Sequence, residues 1–186
     1  MTGNWHILRA ALAVRRGGII AYPTEAVYGL GCNPWDADAV FRILSLKCRH
    51  PGKGLIVVAA DLGQLAGLVD FSGTFDVKAV IASWPGPVTW ILPARAGVPS
   101  WLTGRHRGIA VRVSNHPGIR ALCRKTGPLV STSANCAGAP PARTSARVRC
   151  YFRNRLDYIL PGQVGSLPVP TEIRNAITGA RIRAAC

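Results

Sequence analysis

At 186 residues, with 48% hydrophobic and only 17% charged side chains, the chain has the size and composition of one folded domain. It is too apolar for a disordered tail and carries no apolar run long enough to cross a bilayer. The formal net charge of +15 calls for a polyanionic partner, RNA or nucleotide phosphate, although a GC-rich genome would also raise the arginine count: of 23 basic residues only Lys47, Lys53, Lys78 and Lys125 are lysine. Six scattered cysteines (Cys32, Cys48, Cys123, Cys136, Cys150, Cys186) without a C-x-x-C pair argue against a zinc site or a secreted disulfide framework. They read as free thiols. His6, Arg9, Arg15 and Arg16 interrupt the N-terminal apolar stretch, so it does not read as a signal peptide, and a cytoplasmic location is expected.

In chain order, a helix is predicted over Trp5–Arg15 and a buried strand over Gly17–Tyr22, broken at Pro23. The following Thr24-Glu25 pair and Tyr28-Gly29-Leu30-Gly31 turn form either an ordinary crossover loop or a ligand loop at a strand end. Asp36 caps a helix to Leu46, with Val40, Ile43 and Leu44 near one face. Leu55–Ala59 reads as a strand, Asp61 caps a short helix, and Phe75–Trp84 forms another before Pro85-Gly86-Pro87. Strands follow at Val88–Leu92 and Ile109–Val113, then a helix opened by His116-Pro117, and a strand from Leu129 to Ser131. Thr144 or Ser145 caps an arginine-rich helix to about Asn154, Tyr158–Leu160 is a brief strand, and Thr171–Arg183 forms a hairpin around Thr178-Gly179. Several neighbouring strands lack a helix between them. The fold class is therefore α/β, with a twisted sheet of mixed parallel and antiparallel strands and flanking helices.

Two later segments carry chemistry beside the Thr24-Glu25 stretch. Lys47-Cys48-Arg49-His50-Pro51-Gly52-Lys53-Gly54 packs three cations at a helix C-terminus. It either complements the helix dipole or grips triphosphate oxygens, Arg as a bidentate fork and Lys as a point charge. No G-x-x-x-x-G-K-[ST] sequence exists, so any nucleotide is held without a P-loop. Ser131-Thr132-Ser133-Ala134-Asn135 is either a common polar turn or a set of small hydrogen-bonding groups for phosphate or carboxylate. Arg112, a charge inside a strand, points to solvent or to a polar cleft. Arg183 lies near the end of the terminal hairpin, and the four histidines show no metal-ligand spacing.

These segments, in this order, resemble the YrdC-like family of threonylcarbamoyl-AMP synthases in its short single-domain form. The likeness covers nearly the whole chain: Tyr22 to Gly31, Lys47-x-Arg49 with Lys53 to Ile56, Trp84 to Thr89, Trp101 to Gly104, Ala110 to Val113 with His116-Pro117, Leu129 to Asn135, and Glu172 to Arg174 with Thr178-Gly179. The resemblance implies one catalytic domain over 1–186, without the C-terminal domain of the longer form, and a basic concave cavity. It implies synthesis of threonylcarbamoyl-AMP from L-threonine, bicarbonate and ATP, with Mg²⁺ carried by ATP. The product would pass to a threonylcarbamoyltransferase complex that modifies adenosine 37 of tRNA.

By the same resemblance, Thr24, Arg112 and Ser131 would meet threonine. Lys47, Arg49, Lys53, Ser133, Asn135 and Arg183 would meet ATP, with Lys47 and Arg49 as the catalytic pair. There are departures: Arg49-His50-Pro51 shifts the proline of the usual Lys-x-Arg-Pro by one, and Val58 and Glu172 replace a histidine and a threonine. The competing readings are a basic double-stranded-RNA-binding module and a carbamoyl transferase of the hydrogenase-maturation type. The latter carries zinc-finger and acylphosphatase modules that this chain has no room for.

Overall fold

The computed structural model describes residues 3–184, so Cys186 lies outside the described residues. Among the described residues nine strands form one sheet in the order β7-β1-β2-β6-β3-β5-β4-β8-β9. They are β1 (Ile20–Pro23), β2 (Tyr28–Gly31), β3 (Ile56–Ala59), β4 (Val88–Pro93), β5 (Gly108–Val113), β6 (Leu129–Ser133), β7 (Tyr158–Ile159), β8 (Glu172–Asn175) and β9 (Arg181–Arg183). β1–β7, β3–β5 and β4–β8 run parallel and the other pairs antiparallel, the mixed sheet expected from the irregular spacing of elements.

The central strands are apolar on both faces because both are covered. On one side Ile20, Tyr22 and Val58 pack with Ile7, Val14, Ile119 and Leu122 of α1 (Asn4–Arg15) and α5 (Pro117–Thr126). On the other, Ala21, Val57, Ala59 and Val111 join Val40 and Ile43 of α2 (Ala37–Leu46), Val80 of α3 (Val77–Ala82), Leu102 of α4 (Ser100–Thr103) and Val148 of α6 (Ser145–Phe152). The capping expectations hold at α2 and α6: Asp36 accepts from the amide of Ala39, and Thr144 from that of Arg147.

Four local readings change. The stretch read as a Tyr-Gly-Leu-Gly turn is strand β2, paired with β1 from Ile20↔Gly31 to Pro23↔Tyr28. Pro23 thus belongs to the strand, its missing N–H tolerated near a strand end. The Phe75–Trp84 helix is trimmed to Val77–Ala82, since Asp76 supplies the cap at Ala79. The helix after Asp61 is a 3-10 turn, Gly63–Leu65, and a further one-turn helix, α4, stands where the sequence pattern predicts none.

Candidate active site

A cavity of about 790 Å³ opens among β1–β2, β3, β5, β6 and the β8–β9 hairpin. Register explains its polar floor. β6 lies between β2 and β3, with Gly29 opposite Ser133 and Ile56 opposite Ser131. A side chain on Gly29 would come within 3.3 Å of the Thr24 methyl and 3.4 Å of the Ser131 hydroxyl, so the bare glycine lets those two residues converge at the cavity wall. The Thr24 hydroxyl donates to the Val27 carbonyl at 2.7 Å, which fixes its rotamer.

Arg112 is a cavity residue, buried rather than solvated. Its guanidinium lies 3.1 Å from Glu25 Oε2 and donates to Thr171 Oγ1 at 2.5 Å. The other Glu25 oxygen accepts from Ser114 Oγ at 2.6 Å, and that hydroxyl in turn accepts from the His116 amide at 3.1 Å. Burial by itself pushes the Glu25 carboxyl up, but Arg112 and the Ser114 hydroxyl outweigh it and hold the pKa below its ordinary value. Arg183 reaches the same corner, donating to the Thr171 carbonyl through Nε (3.1 Å) and Nη2 (2.7 Å). Burial, then repulsion from Arg112 and Arg49, lowers its pKa. Thr171 therefore takes one guanidinium on its side chain and another on its backbone.

The Lys47–Lys53 segment is shaped by the end of α2. Arg49 N–H bonds the Leu44 carbonyl at 2.9 Å and Cys48 N–H the Ser45 carbonyl at 3.0 Å, a Schellman ending with Cys48 in the left-handed region at φ 48°. This turn sends Lys47 and Arg49 to different places. Arg49 lines the cavity and donates to the Gly54 carbonyl at 2.9 Å, its pKa lowered by burial. Lys47 stands behind the wall: its ammonium donates to Ser133 O (2.6 Å), Asn135 Oδ1 (2.8 Å) and Asn135 O (3.0 Å), which uses all three of its protons. Burial, then the neighbouring Arg49 charge, brings its pKa down to about 8.

Ser133 donates to Asn135 Oδ1 at 2.7 Å, and Asn135 donates to the Ala139 carbonyl at 2.7 Å. Ser133 lines the cavity, whereas Asn135, like Lys47, buttresses the turn from outside it. Lys53 lines the cavity from the 3-10 turn Pro51–Lys53. The shifted proline is accommodated there: Pro51 takes the first position of the turn, and His50 Nδ1 accepts from the Gly52 amide at 3.0 Å.

The structure thus gathers Thr24, Ser131, Ser133, Arg49, Lys53, Arg112 and Arg183 around one cavity, with Lys47 and Asn135 one layer behind. Val58 is fully buried beneath α5, and Glu172 pairs with Arg174 outside the cavity. Sequence reasoning named no role for Glu25, Ser114 or Thr171. A lone Glu beside a buried strand, in a chain with eight acidic residues against 23 basic ones, was the available signal.

No acidic side chain is among the lining residues, and no cluster of three metal-ligating side chains occurs among the described residues. The donor set does not suit a protein-held divalent cation, which needs carboxylate oxygens. Among the described residues no helix is long and apolar enough to cross a membrane.

A mixed α/β sheet that closes on a cationic cavity, with hydroxyls at the strand ends and no acidic side chain among the described lining residues, offers a site of the class that receives small anions. A family model described as telomere recombination, covering the Sua5, YciO and YrdC proteins, matches residues 12–184, and the chain belongs to that family. A threonylcarbamoyl-AMP synthase of Pseudomonas aeruginosa (strain UCBPP-PA14) is 52% identical over 185 residues, covering 100% of each chain. The Sua5 protein of P. abyssi, solved with L-threonine, superposes with a TM-score of 0.85 at 32% identity, over 93% of this chain and 51% of that one. This chain therefore spans about half the length of that protein. E. coli YciO superposes with a TM-score of 0.79 at 28% identity, over 93% of this chain and 84% of its own.

Proposed function

We propose that this chain is an enzyme, a threonylcarbamoyl-AMP synthase that condenses L-threonine, bicarbonate and ATP and releases pyrophosphate, in service of tRNA modification. Threonine's amine and bicarbonate give a carbamate and water; a carbamate oxygen then displaces pyrophosphate from the α-phosphorus. The observation that carries this reading is the cavity lined by Arg49, Lys53, Arg112 and Arg183 with no acidic side chain among the described lining residues. A reaction among three substrates that each carry an anionic group, and whose own carbamate is the nucleophile, asks for positioning and charge stabilisation and for no protein acid–base pair. The volume suits a nucleotide with a small amino acid.

Thr24, Ser131 and the Arg112–Thr171 corner would hold threonine, with Arg112 toward its carboxylate. Glu25 keeps that guanidinium in place while leaving its Nε without a protein partner. Arg49, Lys53, Ser133 and Arg183 would hold ATP, and Lys47 with Asn135 would fix the Ser133 turn against which the phosphates lie. Lys47 would touch phosphate directly only by exchanging one of its three protein acceptors for it. Mg²⁺ would enter bound to the triphosphate. The product would go to a threonylcarbamoyltransferase complex in the cytoplasm. The exposed arginines Arg147, Arg149 and Arg153, on and just after α6, are the cations that tRNA or other double-stranded RNA would meet.

The experiment is pyrophosphate release from ATP by the purified chain with L-threonine and bicarbonate omitted in turn. Release that needs both supports the reading; release indifferent to either, or none at all, overturns it.

A further inference from the structure

The cavity contains a cationic group that the substrate assignment above leaves unused. The turn between α4 and β5 carries Arg105-His106-Arg107, and the last two line the cavity beside Arg49 and Lys53. Backbone contacts clamp this turn to the Lys53 segment. Arg105 N–H donates to the Gly52 carbonyl at 3.1 Å, and Leu55 N–H to the Leu102 carbonyl at 2.9 Å. Gly104, at φ 66°, lies so close that an added Cβ would stand 2.4 Å from the Gly52 oxygen. Two basic segments distant in sequence are thereby held side by side at one end of the cavity.

Among the described residues none of these charges is neutralised. Arg49, Lys53, Arg107 and Arg183 form no salt bridge among the described residues, whereas Arg112 is paired with Glu25. Arg107 and His106 are exposed, and the like charges of Arg49, Lys53 and Arg107, held without a counter-ion among the described residues, form a site for an anion of high charge density. In a nucleoside triphosphate that density lies at the outer end, where a terminal phosphate carries about −1.5 to −2. The Arg112–Thr171–Arg183 corner, where Arg112 and Thr171 are buried, suits single carboxylate or phosphodiester charges. The exposed rim suits the end of the chain that must depart.

We infer that Arg107, with His106 beside it, forms with Lys53 a subsite for the terminal phosphates of the nucleotide and for the pyrophosphate that leaves. The inference rests on the synthase reading for its place in the reaction, while the subsite itself is defined by an anion class. Arg107 would raise the charge stabilisation of the leaving group and delay its release, so its removal trades product affinity against the chemical step.

The test is calorimetric titration of the chain with inorganic pyrophosphate and, separately, with AMP at fixed ionic strength. Arg107→Gln should weaken pyrophosphate on the order of tenfold and leave AMP within about twofold, the size of one lost charge-assisted contact. Arg107→Lys should recover most of the loss, which a structural defect would not. Unchanged pyrophosphate affinity, equal weakening of AMP, or a wild-type chain that does not bind pyrophosphate would each overturn the subsite. If the wild type binds pyrophosphate through Arg107 but forms no threonylcarbamoyl-AMP, the synthase reading fails and the subsite stands.

Discussion

The Glu25 carboxylate lies 3.1 Å from the guanidinium of Arg112, with only 11% and 5% of the two side chains exposed. Glu25 follows the end of β1 and Arg112 sits inside β5, two strands separated in the sheet by β2, β6 and β3. The pair therefore fixes the depth of Arg112 in the cavity from the far side of the site. Removing the carboxylate leaves a buried cation without a counter-charge, so Glu25→Ala should cost about 3–5 kcal/mol of stability. Urea denaturation reads this directly, and a loss under 1 kcal/mol would mean the pair is dispensable.

The same pair sets an acid limit. Glu25 has a folded pKa below its ordinary value, so its contribution is present above the unfolded carboxylate pKa and is lost as pH falls through the folded one. Wild-type stability should fall more steeply below about pH 4.5 than that of Glu25→Gln. Parallel pH–stability curves for the two proteins would contradict this.

Arg49→Ala should abolish threonine-dependent pyrophosphate release with little loss of fold, because its guanidinium lines the cavity and its protein contact is a single carbonyl. Lys47→Ala should also abolish release, but through the Ser133–Asn135 turn, whose three oxygens lose their shared donor. The two variants differ in a second readout. Lys47→Ala should shift the unfolding midpoint, and Arg49→Ala should not.

A pKa of about 8 for Lys47 places its titration in an accessible window. Below it the ammonium is charged and donates to three oxygens; above it the neutral amine has only two protons to donate. ATP affinity should therefore fall as pH rises from 7 to 9, with a midpoint near 8, and stay flat in Lys47→Arg. Since folding lowers this pKa, the cost of burying the ammonium is present at neutral pH and is relieved as pH rises above about 8. Affinity and stability should consequently move in opposite directions over that interval, and parallel movement would contradict the assignment.

Cys48 occupies the left-handed position of a Schellman ending that glycine normally fills, at φ 48°. Cys48→Gly should raise stability by up to about 1 kcal/mol and retain activity. Loss of activity in that variant would contradict this and assign the thiol a part in the reaction.

The sequence made the apolar-on-both-sides strands, the caps at Asp36 and Thr144 and the terminal hairpin readable, because each rests on neighbours in the chain. It hid β2, whose two glycines look like a turn until β6 is seen to pack against their bare backbone. Arg112 could be recognised as anomalous in a strand, yet its partner could not, since Glu25 and Thr171 reach it only through the order of the sheet. Lys47 was legible as a cation of the site. That its ammonium points at Ser133 and Asn135, and not into the cavity, depends on the left-handed step at Cys48 that separates it from Arg49.

The most direct measurement of the central claim is product analysis after incubation with ATP, L-threonine and isotope-labelled bicarbonate. The account predicts one labelled adenylate whose mass equals AMP plus threonine carbamate less water, formed in equal amount to pyrophosphate. Pyrophosphate with an unlabelled adenylate, or AMP alone, would contradict it.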